Sequence, residues 1–305
     1  MWFILALVTI VFWGGSDLFS KMGSRSDDKY SHWKIVMAVG SVMGIHATVE
    51  ILTGAEFHPV DFFKYSPAII FYISSMILGY VGLRYLMLSV SSPICNSSGA
   101  VACILCLIFL GQNPDPLTWV GIVLVVAGVI GLAFAEKAYN KQPALNGADD
   151  PDQKYKIGFI AVFFPIFYCI LDGLGTFADA LLLDSMIVNE ESANIAYEYT
   201  FFAAAVICFV YLYIFKKQKF EFRFDAPKWA GAVCETAGQF SYIYAMGTTM
   251  GNPTVAAPMI SAYCVFSVLL SRIILKEKLT FKHYMIIFTV FAGIICMGIA
   301  EGLSE

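Results

Sequence analysis

The stretch TWVGIVLVVAGVIGLAFAE at residues 118–136 decides the fold, because HYMIIFTVFAGIICMGIAE at residues 283–301 repeats its pattern in the same register. The Ala-Gly pair at 127–128 aligns with the pair at 292–293, and each stretch ends in a glutamate. Both are apolar over about 18 residues, the length that an α-helix needs to cross a hydrocarbon core of about 30 Å. The repeat predicts a membrane protein built from two similar halves.

The composition of the chain agrees with a membrane location. Of its 305 residues, 59% are apolar and only 14% are charged, and the mean hydropathy is +0.72. A soluble domain carries about 25% charged residues. The formal net charge is -4, and the basic residues form short clusters rather than a continuous stripe, which excludes nucleic acid as a partner.

Apolar runs recur along the whole sequence and predict an all-α polytopic protein with about ten transmembrane helices. The runs lie near 2–22, 34–53, 66–88, 93–111, 117–135, 157–183, 195–215, 228–248, 253–274 and 283–300. A long polar interruption separates the fifth run from the sixth. We therefore predict a first five-helix repeat at 1–136, a polar cytoplasmic linker at 137–156 and a second five-helix repeat at 157–305.

Charges in the connections predict the orientation, because basic residues concentrate in cytoplasmic loops. The first, fifth, seventh and ninth connections are basic, with Lys21, Arg25, Lys29, Lys34, Lys137, Lys141, Lys154, Lys156, Lys216, Lys217, Lys219, Arg223, Lys228, Arg272, Lys276, Lys278 and Lys282 in or beside them. The even connections contain little more than one basic residue, Lys64, against the acidic residues Asp61, Asp115, Asp184, Glu190 and Glu191. Odd connections are predicted to be cytoplasmic and both termini external. With five spans in each half, the second repeat is inverted relative to the first.

Proline positions add a second sign of duplication. SSPICNSSGAV, which contains Pro93, corresponds to GNPTVAAPMIS, which contains Pro253. Proline is favoured in the first turn of a helix, where its missing N–H costs nothing. Each proline is therefore predicted to begin a helix.

Together these features resemble the drug/metabolite transporter superfamily, in its EamA-like branch. The resemblance rests on FWGGSDLFSK in the first span, a proline-interrupted ninth span followed by LKEKLT, and the Ala-Gly motif in spans five and ten. It covers nearly the whole chain and implies a secondary carrier in which spans three, four, eight and nine line a central cavity. Family members mostly keep their termini in the cytoplasm, whereas the connection charges here predict the opposite.

Two carboxylates lie within predicted spans, where each charge costs at least about 2.5 kcal/mol to insert. Asp17 is in the first span and Asp172 is in the sixth, the corresponding helix of the second repeat. Glycines at 14–15 and 173–175 can loosen the helix beside each of them. We predict that both couple transport to a proton or cation; the alternative is a carboxylate tied to a lysine or to free amides.

Eight residues are predicted to contact the transported solute: Trp13, Tyr80, Arg84, Asn96, Asp172, Glu235, Gln239 and Tyr244. The aromatic side chains can stack on an organic ring or hold a cation. Arg84 binds an anionic group, holds a carboxylate or extends to lipid phosphates, and Asn96 alternatively joins neighbouring helices. An amine, an amino acid and a zwitterion all remain open as substrates.

The predicted function is a secondary active transporter in the plasma membrane that moves a small organic metabolite or drug-like solute, with possible proton coupling. A P-loop motif and catalytic motifs such as G-x-S-x-G are absent from the sequence, so we predict neither enzyme activity nor a cofactor or metal. The alternatives are a membrane-embedded enzyme and a non-transporting scaffold or sensor. The expected partners are the solute and the lipid bilayer, with the chain a monomer or homodimer.

Three further ionisable residues are assigned structural positions. His46 is expected to join helices, and Glu50 and Glu198 are expected to lie at the membrane interface.

Overall fold

A computed structural model describes residues 2–24, 28–86, 88–111, 114–139, 163–247, 253–276 and 279–304. Its regular elements are twelve helices: α1 (Trp2–Gly23), α2 (Ser31–Leu52), α3 (Asp61–Gly82), α4 (Leu88–Asn96), α5 (Ser98–Phe109), α6 (Pro116–Tyr139), α7 (Phe163–Asp184), α8 (Glu190–Phe209), α9 (Phe222–Met246), α10 (Pro253–Ser261), α11 (Tyr263–Leu270) and α12 (Phe281–Ser304). Short π-helical turns at Val210–Phe215 and Ser271–Leu275 extend α8 and α11. The predicted all-α class is confirmed.

The helices account for ten spans, because spans four and nine each consist of two helices, α4 with α5 and α10 with α11. Among the described residues, eight helical segments are long and apolar enough to cross a membrane by length and composition. The apolar stretch Pro116–Leu132 of α6 is shorter, and α9 is the remaining span. Residues 137–139 of the predicted linker continue α6, and its residues 140–156 lie outside the described part of the chain.

The two repeats are interleaved. Helix α1 packs against α9 of the second repeat, and its counterpart α7 packs in the same way against α3 of the first. Likewise α1 contacts α11 while α7 contacts α5, and the pairs α2 with α8 and α6 with α12 join matching helices of the two repeats. This pattern is that of two inverted repeats related by a pseudo-two-fold axis.

The broken spans correct one prediction from the sequence. Pro93 does not begin a helix but lies inside α4, which is helical from Leu88, and the break follows at Ser97. Pro258 lies inside α10 in the same way, with its break at Ala262. Each break comes four residues after its proline. The repeat therefore aligns Pro93 with Pro258, while the other predicted proline is the first residue of α10.

The glycines beside the two membrane carboxylates do not loosen their helices, since α1 and α7 are continuous. They allow other helices to come close. A Cβ added to Gly14 would lie 2.5 Å from Phe266 Cδ1 on α11, and one added to Gly173 would lie 2.8 Å from Val101 Cβ on α5. The glycines thus allow α11 to pack closely against α1 and α5 to pack closely against α7.

Candidate solute-binding cavity

A central cavity lies between the two repeats. Residues of α1, α3, α4, α7, α8, α9 and α11 line it. Its polar and aromatic side chains include Trp13, Ser16, Asp17, Tyr72, Tyr80, Ser92, Tyr168, Asp172, Tyr197, Glu235, Gln239 and Tyr263. Spans of both repeats therefore contribute to one site.

Hydroxyl groups from the broken spans reach the two aspartates. Asp17 Oδ2 accepts hydrogen bonds from Ser92 Oγ of α4 at 2.5 Å and from Ser267 Oγ of α11 at 2.8 Å. Asp172 Oδ2 accepts one from Ser98 Oγ of α5 at 2.7 Å. The breaks at the ends of α4 and α10 thus bring short polar side chains to carboxylates that lie within the membrane.

A third carboxylate faces the same space. Glu235 of α9 is buried, and its Oε2 accepts a hydrogen bond from Ser16 Oγ of α1 at 2.7 Å. The described residues that line the cavity include three acidic side chains and no lysine, arginine or histidine. The cavity is therefore acidic, and it suits a cation or protons far better than an anion.

Several hydrogen-bond donors in the cavity wall have no acceptor. Trp13 Nε1, Tyr80 Oη and Gln239 Nε2 are buried and lack a hydrogen-bond partner among the described residues. The Trp13 ring packs against Tyr242 and Tyr263, with ring centroids 5.0 Å and 5.5 Å away. Buried donors are costly when unpaired, so these groups indicate a surface that is completed by water or a solute.

A hydrogen-bond network around Asp179 closes the cavity toward the acidic side, the end of the helices where the even connections lie. The Asp179 carboxylate is fully buried and accepts hydrogen bonds from Tyr72 at 2.8 Å, from Tyr242 at 2.9 Å and from Tyr65. Tyr72 also lines the cavity. We call these four residues the tyrosine network. Asp179 follows Asp172 by seven residues on the same helix face, and this spacing in the sequence is the signal that could have predicted its position.

The structure brings together most of the predicted site residues. The following line the cavity: Trp13, Asp17, Tyr80, Asp172, Glu235 and Gln239. Asn96 lines a smaller adjoining recess that shares Trp13 and Asp172 with the cavity. Its Nδ2 donates to Ser92 O at 2.8 Å. The remaining aromatic residues of the wall were not among the eight predicted contacts; they are Tyr72, Tyr168, Tyr197 and Tyr263.

Two predicted contacts, Arg84 and Tyr244, lie outside the cavity. Arg84 is in the turn after α3, with its guanidinium 5.2 Å from the centroid of the Tyr85 ring. Tyr244 is only partly buried and packs edge-on against Phe240, with ring centroids 5.0 Å apart. Tyr242 takes the inward position instead, because it follows Glu235 by seven residues and shares its helix face.

Charged residues join α2 and α9 on the basic side, where the odd connections lie. Lys34 Nζ is 3.1 Å from Asp28 Oδ2 and 3.8 Å from Asp225 Oδ1, and Lys228 Nζ is 2.7 Å from Asp225 Oδ1. We call these four residues the ion cluster. Burial disfavours the Asp28 carboxylate, but the Tyr30 N–H and the Lys34 ammonium outweigh burial and hold the pKa of Asp28 below its ordinary value.

The fold and cavity define a polytopic helical membrane protein with a central acidic site, and comparison with known proteins gives its family. The EamA-like transporter family model matches residues 1–134 and 179–299, one segment in each repeat. The chain belongs to the EamA-like transporter family, whose members are typically non-enzymatic transporters of small solutes.

Two further comparisons bear on the fold alone. The comparison with curated proteins found no match. A solved structure entitled "Crystal structure of protein" is similar, with a TM-score of 0.64 and 12% sequence identity over 100% of this chain and 99% of the other. At that identity the likeness shows a shared fold.

Proposed function

We propose that this protein is a secondary transporter that carries a small organic cation across the membrane by alternating access. The observation that carries this proposal is the cavity wall, where three carboxylates and several aromatic rings meet without a cationic side chain among the described lining residues. A carboxylate removed from water requires a proton or a positive charge beside it. A cationic solute supplies that charge, and aromatic faces add cation–π attraction.

The unpaired donors refine the class of solute. Trp13 and Gln239 line the cavity, and Trp13 Nε1 and Gln239 Nε2 are buried donors without a partner among the described residues. A solute with an acceptor, such as a hydroxyl or carbonyl oxygen, would pair with them. Among the classes that the sequence left open, an amine or quaternary ammonium with a polar group fits this wall best, because a carboxylate on the solute would face Asp17, Asp172 and Glu235 without a counter-charge.

The two ends of the cavity support alternating access. On the acidic side the tyrosine network seals it. On the basic side its wall includes Ser20 near the end of α1, Leu83 just after α3 and Leu88 at the start of α4. We propose that this conformation faces the basic side, and that the inverted repeats exchange their contacts to face the other side.

Asp17 and Asp172 would couple transport to a proton, as predicted from the sequence. A carboxylate that binds either a proton or the cationic solute, but not both, forces the two to exchange across the membrane. Asp17 and Asp172 occupy corresponding helices of the repeats and accept hydrogen bonds from serine hydroxyls of the broken spans.

We further propose that the basic side is cytoplasmic, with both termini external and the plasma membrane as the location. The distribution of basic residues between odd and even connections supports this orientation.

Thermal stability with matched ligands tests the proposed substrate class. Choline, its neutral isostere 3,3-dimethylbutan-1-ol and the anion 3,3-dimethylbutanoate have similar shapes but different charges. A ligand that binds the folded state raises its stability, so choline should raise the unfolding temperature of the purified protein and the other two should not. Equal stabilisation by the neutral or anionic compound would contradict an organic-cation site.

A further inference from the structure

A second cluster of ionisable side chains lies away from the cavity, between α2 of the first repeat and α8 of the second. His46 Nδ1 lies 2.9 Å from Glu198 Oε2 and 3.4 Å from Glu50 Oε2. Ligand atoms of these three residues lie within 4.8 Å of one another. Glu198 was expected at the membrane interface, but its side chain is fully buried.

The spacing of these atoms suits a common metal ion. When nitrogen and oxygen ligands lie about 2.0–2.1 Å from a metal, neighbouring ligand atoms are roughly 2.9–3.4 Å apart. The distances from His46 Nδ1 to Glu198 and to Glu50 fall in that range. One imidazole and two carboxylates form a mixed nitrogen and oxygen set, which favours a first-row divalent ion such as Zn²⁺ over Mg²⁺.

A buried amide provides an independent observation. Asn194 is fully buried, and its Nδ2 donates to Glu50 Oε2 at 2.8 Å. Its Oδ1 is buried and has no hydrogen-bond partner among the described residues. Because both atoms belong to one carboxamide next to Glu50, an unpaired acceptor lies at the edge of the cluster.

A proton on His46 accounts for this arrangement only in part. One imidazolium N–H faces both oxygens of Glu198, at 3.0 and 2.9 Å, and the carboxylate of Glu50. It balances one of the two negative charges and leaves Asn194 Oδ1 unpaired. A divalent cation held by the three side chains balances both carboxylates.

The geometry points to a divalent metal site formed by His46, Glu50 and Glu198, with Asn194 beside it. The side chain of His46 is 33% exposed, which leaves a path for the ion to enter. Because the ligands come from α2 and α8, bound metal would tie the two repeats together near the acidic side. The site does not depend on the proposed substrate.

Zinc binding to the purified full-length protein, stripped with a chelator, tests this site. Calorimetric titration should show one Zn²⁺ per chain with a rise in unfolding temperature, and Mg²⁺ should bind far more weakly. His46→Gln should weaken Zn²⁺ binding at least tenfold, and so should Glu198→Gln. His58→Gln is the matched control, because His58 is 72% exposed and lies outside the cluster.

Cobalt separates this site from the cysteines of the chain, since the absorption of bound Co²⁺ distinguishes thiolate from nitrogen and oxygen ligands. We expect a spectrum without thiolate ligation that disappears in His46→Gln. Because His46 is partly exposed, this variant tests the site even if Glu198→Gln fails to fold. Absence of saturable Zn²⁺ binding, unchanged affinity in His46→Gln, or a thiolate spectrum would each overturn the proposal.

Discussion

The two ends of the molecule are held by different chemistry. On the acidic side, the tyrosine network surrounds one fully buried carboxylate, Asp179, with three neutral hydroxyl donors. On the basic side, the ion cluster pairs two lysines with two aspartates, and its outermost member, Asp28, is 18% exposed. One end is a network of neutral donors around one carboxylate, and the other is a set of ion pairs that are buried except at Asp28.

This difference follows the position of the cavity. Tyr72 belongs both to the tyrosine network and to the cavity wall, so the network borders the cavity on the acidic side. None of the four residues of the ion cluster lines the cavity. Losing the hydrogen bonds to a buried carboxylate costs their full value, whereas the partly exposed pair of Asp28 with Lys34 contributes less and is screened by salt. The account therefore predicts a strong closure on the acidic side and a weaker contact on the basic side.

Removing the shared acceptor should have the largest effect. Asp179→Ala leaves three buried tyrosine hydroxyls without their carboxylate, although Tyr72 and Tyr242 can still bond each other across 2.6 Å. We expect a loss of about 2–4 kcal/mol in unfolding free energy, measured by thermal or denaturant unfolding in detergent. Asp184→Ala, at the exposed end of the same helix, is the control and should have almost no effect. Equal stability of the two variants would show that the network does not close the protein.

Removing a single donor should have a smaller effect. Tyr65→Phe deletes one of three hydrogen bonds to Asp179 and keeps the aromatic ring, so we expect a loss of about 1 kcal/mol. Tyr199→Phe removes a hydroxyl that bonds Thr48 at an exposed position and should change stability by less than about 0.5 kcal/mol. Equal losses of unfolding free energy in Tyr65→Phe and Tyr199→Phe would contradict the proposed role of the tyrosine network.

The ion cluster should give the smallest effect, and it should depend on salt and pH. Asp28→Asn removes the closer of the two carboxylates beside Lys34 and leaves Asp225 in place. We expect a cost of about 0.5–1 kcal/mol at low salt and less in 1 M salt, where the screening length is about 3 Å. The pKa of Asp28 is lowered in the folded protein, so its stabilisation is present above the ordinary pKa of an aspartate and is lost as the pH falls through the lowered value. Unfolding curves at neutral and acidic pH check both points. A penalty that persists in high salt and in acid would mean that the contact is not electrostatic.

The sequence was informative where a residue contrasted with its surroundings. Asp17 and Asp172 are isolated charges in apolar runs, and the structure places both in the cavity wall. Asp179 was missed because it lies near the end of a predicted span, where a carboxylate ordinarily faces water. Its burial depends on Tyr65 and Tyr72 of α3, a contact between distant parts of the chain that local patterns do not reveal.

Aromatic residues were harder to assign from the sequence. With 16 tyrosines in the chain, residue type alone does not separate cavity from lipid. Helix geometry would have favoured Tyr242 over Tyr244, because Tyr242 shares the face of Glu235. The prolines of the broken spans were easier to pair, because the offset that aligns 118–136 with 283–301 also aligns Pro93 with Pro258.

Binding of labelled choline, or of whichever organic cation stabilises the protein most, tests the central claim that the cavity carboxylates hold a cationic solute. The measurement compares the wild-type protein with Asp172→Asn, which keeps the shape of the side chain but removes its charge. Asp184→Asn, outside the cavity on the same helix, is the control. We predict saturable binding that weakens at least tenfold in Asp172→Asn and is unchanged in Asp184→Asn, a difference of about 1.4 kcal/mol or more. Equal affinity in the wild type and Asp172→Asn would contradict the account.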